Sequence, residues 1–180
     1  MDAVVVDTNV ILVAKGMADQ ASPACVLTCI ERLDRIVEGP ERVVIDDNRE
    51  ILGEYLNYED GSTTAARAGW GFLEWFMRNH ENPEQCLKVH ITPSVDGVGF
   101  EEFPTAPELS EFDPADKKFI AVAVVYENVH RQKVPILQAV DSNWYGLREA
   151  FARNGLLIDF ICEENIRLLY ERRSERRAKN

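Results

Sequence analysis

Val4-Val5-Val6-Asp7-Thr8-Asn9, VVVDTN at residues 4–9, decides how the rest of the chain is read. Three consecutive β-branched residues with no polar interruption predict a strand covered on both faces, as in a parallel sheet packed between helices. Asp7 stops that run, and in open sheets of this kind ligands collect outside the carboxyl ends of the strands. A carboxylate at that position either caps the turn that follows, as Asp often does, or takes part in chemistry at the sheet edge.

Outward from this strand, apolar runs and helical periods alternate. Ser22-Pro23 offers an N-cap and a proline at the first helical position, and Gly39-Pro40 closes that helix. Residues 43–46 read as a second buried strand. Ile51, Leu52, Tyr55 and Leu56 then recur at helical spacing and carry Glu54 with them. A helix is predicted over 63–79, with Trp70, Leu73, Phe76 and Met77 as its apolar stripe, which belongs to a core and not to a binding box. A short edge-ward strand is expected over 88–92.

Residues 93–112 are rich in Pro, Gly and acids and form the longest loop, a length that points to function or mobility. Asp113-Pro114 opens a strong helix through Phe119, Ile120, Val122, Ala123 and Tyr126. Residues 135–140 return as a strand ending in Asp141, 144–153 are helical, 156–160 strand-like, and a last amphipathic helix starts near Glu163. This alternation predicts an α/β fold: a three-layer α/β/α sandwich around a central, mostly parallel sheet. It forms one domain over 1–165, with 166–180 as a basic helix end or tail.

The composition suits a globular protein: 180 residues, 46% apolar and 28% charged, enough for one sizeable core. The apolar N-terminal stretch is broken by Asp7 and Asn9 and has no basic leader, so neither a signal peptide nor a membrane span is expected, and the cytoplasm is the expected location. A net charge of −11 argues against an extended basic surface for long nucleic acid. It leaves room for a local one: Arg167, Arg172, Arg173, Arg176, Arg177 and Lys179 crowd the C-terminus. They read as a solvated helix end suited to the helix dipole or, more sharply, as an arm contacting phosphates. Cys25, Cys29, Cys86 and Cys162 include no Cys-x-x-Cys pair and match no zinc frame, so reduced core thiols are expected. Cys25 and Cys29 share a helix face toward the core, with redox or metal use as the alternative.

Four acids can reach the edge that Asp7 marks. Asp7 and Asp141 end strands, Glu54 rides a helix, and Asp116 sits in the first turn after Asp113-Pro114. Taken alone, Glu54 is as well read as a surface residue, Asp113 as an N-cap joined with Asp116 in a capping-box-like arrangement, and Asp141 as a helix-entry cap. Gathered at one edge, such carboxylates repel and require cations or protons. Mg2+ or Mn2+ suits them, preferring hard oxygen ligands and keeping several waters. Two such ions would allow in-line phosphodiester hydrolysis without His or Cys.

In order, VVVDTNVIL, ILGEY, DPADKKFIAVA and AVDSNW resemble the PIN-domain nucleases over most of the chain. The resemblance implies a small α/β/α fold, Mg2+- or Mn2+-dependent ribonuclease activity and products with a 5′-phosphate and a 3′-hydroxyl. Asp7, Glu54, Asp116 and Asp141 would be the catalytic metal-binding acids, supported by Thr8, Asn9, Asp113 and Asn143. Many members are toxins of bacterial toxin-antitoxin pairs, so RNA, an antitoxin protein and a second copy of the chain are the partners it suggests. Family members often carry a second acid and then Phe after the fourth-acid position, where this chain has Asn143 and Trp144, which implies a weaker second metal site. Arg172, Arg173, Arg176 and Arg177 are the candidate phosphate contacts.

Other acidic-site readings fail on the residues. VVIDDNREIL suggests a receiver domain, but the next-strand acceptor Asp and the Lys-bearing strand are missing, and Asp46 and Asp47 read as strand end and helix start. An aspartyl phosphatase needs an acid where Asn9 stands. The remaining alternative is a catalytically weak module of the same fold that binds RNA or a protein, since fold alone does not confer activity.

Overall fold

A computed structural model of the chain describes residues 2–58 and 67–178. Five strands form the sheet: β1 (Ala3–Val6), β2 (Arg42–Asp46), β3 (Cys86–Val89), β4 (Pro135–Gln138) and β5 (Leu157–Phe160). Around them lie α1 (Thr8–Ala14), α2 (Pro23–Glu38), α3 (Glu50–Leu56), α4 (Arg67–Asn79), α5 (Lys117–His130), α6 (Ser142–Gly146), α7 (Arg148–Arg153) and α8 (Glu163–Ala178). All strand pairs are parallel, in the order β3-β2-β1-β4-β5. The architecture is the expected α/β/α sandwich.

The topology follows from burial. Val4, Val5 and Val6 are wholly buried, which places β1 at the centre of the sheet. From β1 the chain steps outward through β2 to β3, then crosses back to β4 on the other side of β1. Right-handed crossovers therefore send α1, α2 and α4 to one face and α5, α6 and α7 to the other. In agreement, α1, α2 and α4 pack on one another, and α5 lies across β1 to β4. The strand order reverses between β1 and β4, where open sheets place their ligands.

Local chemistry fixes the element ends. The Ser22 side chain accepts from the Cys25 N–H at 3.2 Å, capping α2 with Pro23 in its first turn. At the other end a Cβ on Gly39 would lie 2.5 Å from the Arg35 carbonyl, so only glycine fits. Asp46 ends β2 and caps α3, accepting from Glu50 N–H at 2.7 Å and Ile51 N–H at 2.8 Å. It is therefore committed to the strand-to-helix junction.

Several boundaries differ from the sequence reading. Of the helix predicted over 63–79, residues 63–66 and the Trp70 side chain lie outside what is described, and Phe72 joins Leu73 and Phe76 in the core. The edge strand is Cys86–Val89, two residues ahead of expectation, because Val43 to Asp46 pair with it in that register. The helix of 144–153 divides into α6 and α7 at Leu147. The long loop at 93–112 is anchored: Pro93 bridges Phe100, Leu109 and Phe112 are buried, and the Phe112 ring meets Trp144 edge-on at 4.9 Å. Cys25 and Cys29 do face the core, but Cys25 is disulfide-bonded to Cys162 with Cα atoms 5.4 Å apart, a pairing hidden by a separation of 137 residues. Cys29 and Cys86 are buried free thiols, pushed up to about 12 by burial.

Candidate metal and nucleic-acid site

The β1–β4 register builds the site. Val6 pairs with Leu137, and the Asp7 N–H continues the ladder to the Leu137 carbonyl at 3.2 Å. Asp7 then caps α1, its Oδ1 accepting from the Asn9 N–H at 2.8 Å. The Asn9 side chain crosses to β4, its Oδ1 accepting from the Val140 N–H at 2.7 Å. One residue thus orients Asp7 and ties the β1 turn to the turn carrying Asp141. Asp141 is a cap as well, accepting from the Asn143 N–H at 2.7 Å. For both residues capping consumes one carboxylate oxygen and fixes the direction of the other.

Glu54 and Asp116 arrive from helices. Tyr55, fully buried, donates its hydroxyl to the Val6 carbonyl and pins α3 against the end of β1, so Glu54 is held beside Asp7. Burial, followed by the Asp7 and Glu54 charges, pushes the Tyr55 hydroxyl well above its usual value. Lys118 is buried, forms an ion pair with Glu54 and donates to the Ala115 carbonyl. Asp116 Oδ2 accepts from the Trp144 indole N–H at 3.0 Å. Asp113 caps its turn through the Ala115 N–H at 2.9 Å, and Asp116 makes no reciprocal capping bond, so the capping-box arrangement does not form. Trp144 takes Asp116 instead.

Electrostatics bind the four acids into one unit. Asp7 is 4% exposed, and its carboxyl is held well above the usual range by burial, then by the charges of Asp116, Glu54 and Asp141. Asp116 is pushed up from 3.8 to about 6, chiefly by burial, with Asp141, Asp113 and Glu54 adding repulsion and the Trp144 bond opposing it. Repulsion of this kind is what a divalent cation relieves. The donors are all oxygens, and the buried Thr8 hydroxyl beside Asp7 has no hydrogen-bond partner. Among the described residues no three carboxylates bring oxygens within 4.8 Å of one another; the group that does is Cys25, Cys29 and Cys162. The acids are therefore not assembled around one ion position, and a cation here would need waters between itself and some of them, as Mg2+ keeps.

Next to Asp141 opens a cleft of about 480 Å³, lined by Asn9, Asp141, Ser142, Arg172, Arg173 and Arg176. α8 packs against α6, and Arg173 Nη1 donates to Ser142 Oγ and Asn143 Oδ1, both at 2.8 Å. Asn143, at the position where an extra acid was considered, is thus an arginine acceptor. Arg177 lies farther along the exposed helix, and Lys179 falls outside the described residues. A larger cleft of about 530 Å³ opens on the other side of Arg172, against Cys25 and Cys162, away from the four acids.

Sequence reasoning missed Tyr55, Lys118 and Trp144 as site residues. Lys118 carried the one available signal, as the second of two lysines between Asp116 and the apolar run Phe119 to Val125; the other two read as core aromatics. No family model, curated protein or solved structure matches the chain.

Proposed function

We propose that this protein is a PIN-type ribonuclease that uses Mg2+ or Mn2+ to hydrolyse phosphodiester bonds of single-stranded or structured RNA. The observation that carries the reading is the group of acids at the switch point, with a buried Asp7 whose carboxyl is raised first by burial and then by the charges of three partner acids. A purely structural cap has no reason to be buried among three like charges.

In this reading Asp7, Asp116 and Asp141 would hold the cation, and Glu54, already balanced by Lys118, completes the acidic wall. When bound, the cation supplies Lewis acidity at the phosphodiester and neutralises charge developing on its oxygens. The rest belongs to the chain. Asn9 and Trp144 hold two carboxylates in fixed orientations, which limits reorganisation during reaction. Arg172, Arg173 and Arg176 draw flanking phosphates into the cleft beside Asp141, offsetting the repulsion between RNA and a chain of net charge −11.

The test is cleavage of labelled single-stranded RNA by the purified chain with Mn2+ or Mg2+, against Asp7→Asn. Wild type cleaves and the variant does not. Equal cleavage by both would remove Asp7 from the mechanism; cleavage by neither, with RNA still bound, would leave a binding module.

A further inference from the structure

The described residues hold a second cluster of potential ligands, remote in chemistry from the acids. Cys25 and Cys29 lie one turn apart on α2, and Cys162 immediately precedes α8. Cys25 and Cys162 are disulfide-bonded, the Cys29 sulfur lies 3.8 Å from that of Cys162, and all three sulfurs fall within 4.8 Å of one another. Two functions suit three such sulfurs: internal disulfide exchange or metal chelation. Exchange requires the attacking sulfur to line up with the bond it breaks, whereas these three close into a triangle. With Zn–S bonds of about 2.3 Å, tetrahedral zinc sets its sulfurs about 3.8 Å apart, the separation between Cys29 and Cys162.

We propose that, when the disulfide is reduced, Cys25, Cys29 and Cys162 form a site for a thiophilic divalent cation, with Zn2+ the best fit. The surroundings act both ways on an anionic metal-thiolate group: burial pushes the Cys29 thiol up to about 12, which the cation must overcome, and two helix ends favour the charge. Cys25 lies in the first turn of α2, and the Cys162 carbonyl accepts from the Ile166 N–H at 3.0 Å in the first turn of α8. The positive ends of two 16-residue helices thus converge on the sulfurs. Cys25 and Cys162 also line the cleft of about 530 Å³, which gives the cation a route in and leaves its fourth position to water or a small thiol.

The chemistry balances. A dithiol reductant transfers two hydrogens to the Cys25–Cys162 bond and becomes a disulfide itself, leaving three protein thiols. Zn2+ then displaces three protons and forms three Zn–S bonds. A disulfide oxidant takes two electrons from the Cys25 and Cys162 thiolates and, with two protons from water, becomes a dithiol; the disulfide re-forms, the cation leaves and Cys29 regains a proton from water. Metal binding at this site is therefore governed by redox state, and it stands independently of the proposed nuclease activity.

The experiment titrates the full chain with Co2+, after reduction by a phosphine and removal of excess reductant under anaerobic conditions. Cobalt among carboxylates lacks the thiolate-to-cobalt charge-transfer band, so the two sites are distinguished. The reduced protein, its helix content intact by circular dichroism, is expected to take up one equivalent of Co2+ with that band and to release it to Zn2+. The oxidised protein shows no band, Cys29→Ser weakens binding roughly tenfold or more, and Cys86→Ser, at a buried thiol on β3, leaves it unchanged. Should reduced Cys29→Ser lose its helix content, Cys162→Ser must show the same weakening. No charge-transfer band from the reduced protein, unweakened binding by the readable variant, or unfolding on reduction would overturn the proposal.

Discussion

Replacing Asp116 by Asn is expected to stabilise the metal-free protein in neutral and basic solution while removing an acid from the site. The folded protein holds this carboxyl at about 6, against an ordinary value of 3.8. A carboxyl raised on folding favours the native state below its unfolded value, and that advantage is lost as pH rises through the folded value. The shift corresponds to about 3 kcal/mol against the ionised form. Asp116 is partly exposed and shares its repulsion with Asp7, so about 1 to 2 kcal/mol is the expected net effect after screening. Asn keeps an oxygen for the Trp144 indole, so the variant removes the charge and retains the bond. Urea unfolding with a chelator present, at about pH 4 and about pH 8, measures the difference. The variant's advantage should appear mainly at the higher pH, and excess Mn2+ should reverse it by stabilising wild type alone. A variant no more stable than wild type at about pH 8 in chelator would refute the picture of uncompensated acids.

Tyr55→Phe should cost about 1 to 2 kcal/mol by removing the hydroxyl donated to the Val6 carbonyl, and it should lower cleavage by releasing Glu54 from its place; unchanged unfolding would deny Tyr55 that role. Trp144→Phe deletes the one side-chain hydrogen bond to Asp116 among the described residues, so the Asp116 carboxyl should titrate above its present value of about 6 in a carboxyl-resolved NMR titration, and a downward move would contradict the assignment. Arg173→Ala should weaken RNA binding and reduce the slope of log affinity against log salt by roughly one, with little change in stability, as fluorescence anisotropy over a salt series would record. An unaltered slope would place the RNA elsewhere.

Much of the fold is legible because it rests on local signals. The valine run at 4–6 and Ser22-Pro23 act through nearest neighbours and stand where period and cap put them, whereas Asp113-Pro114 opens a short 3-10 turn ahead of α5. The misplacements occur where a distant partner decides. β3 begins at Cys86 because the β2 register requires it, and the Cys25–Cys162 bond depends on α8 returning to α2 after a separation of 137 residues. The loop at 93–112 resembled a mobile segment because its anchors, Leu109 and Phe112, are scattered through a stretch rich in Pro, Gly and acids, and Phe112 is buried against the distant rings of Trp144 and Phe151.

The acid site divides along the same line. Asp7 and Asp116 can be found from their places just after a strand and just before a helix, while Asp141 stands three residues past β4 and Glu54 beyond the first turn of α3; what holds each there cannot be read locally. Trp144 looks like core packing after AVDSN, yet its indole N–H is the group that meets Asp116. Lys118 looks like a surface lysine, yet it is buried against Glu54. These partners matter as much as the acids, because four carboxylates at one sheet edge are tolerable only with fixed counter-groups, and the chain supplies them unevenly. Glu54 has an ammonium and Asp116 an indole, while Asp7 has one backbone N–H and an unpartnered Thr8 hydroxyl beside it. The deficit is therefore greatest at Asp7, and a divalent cation at this edge would gain most by binding there.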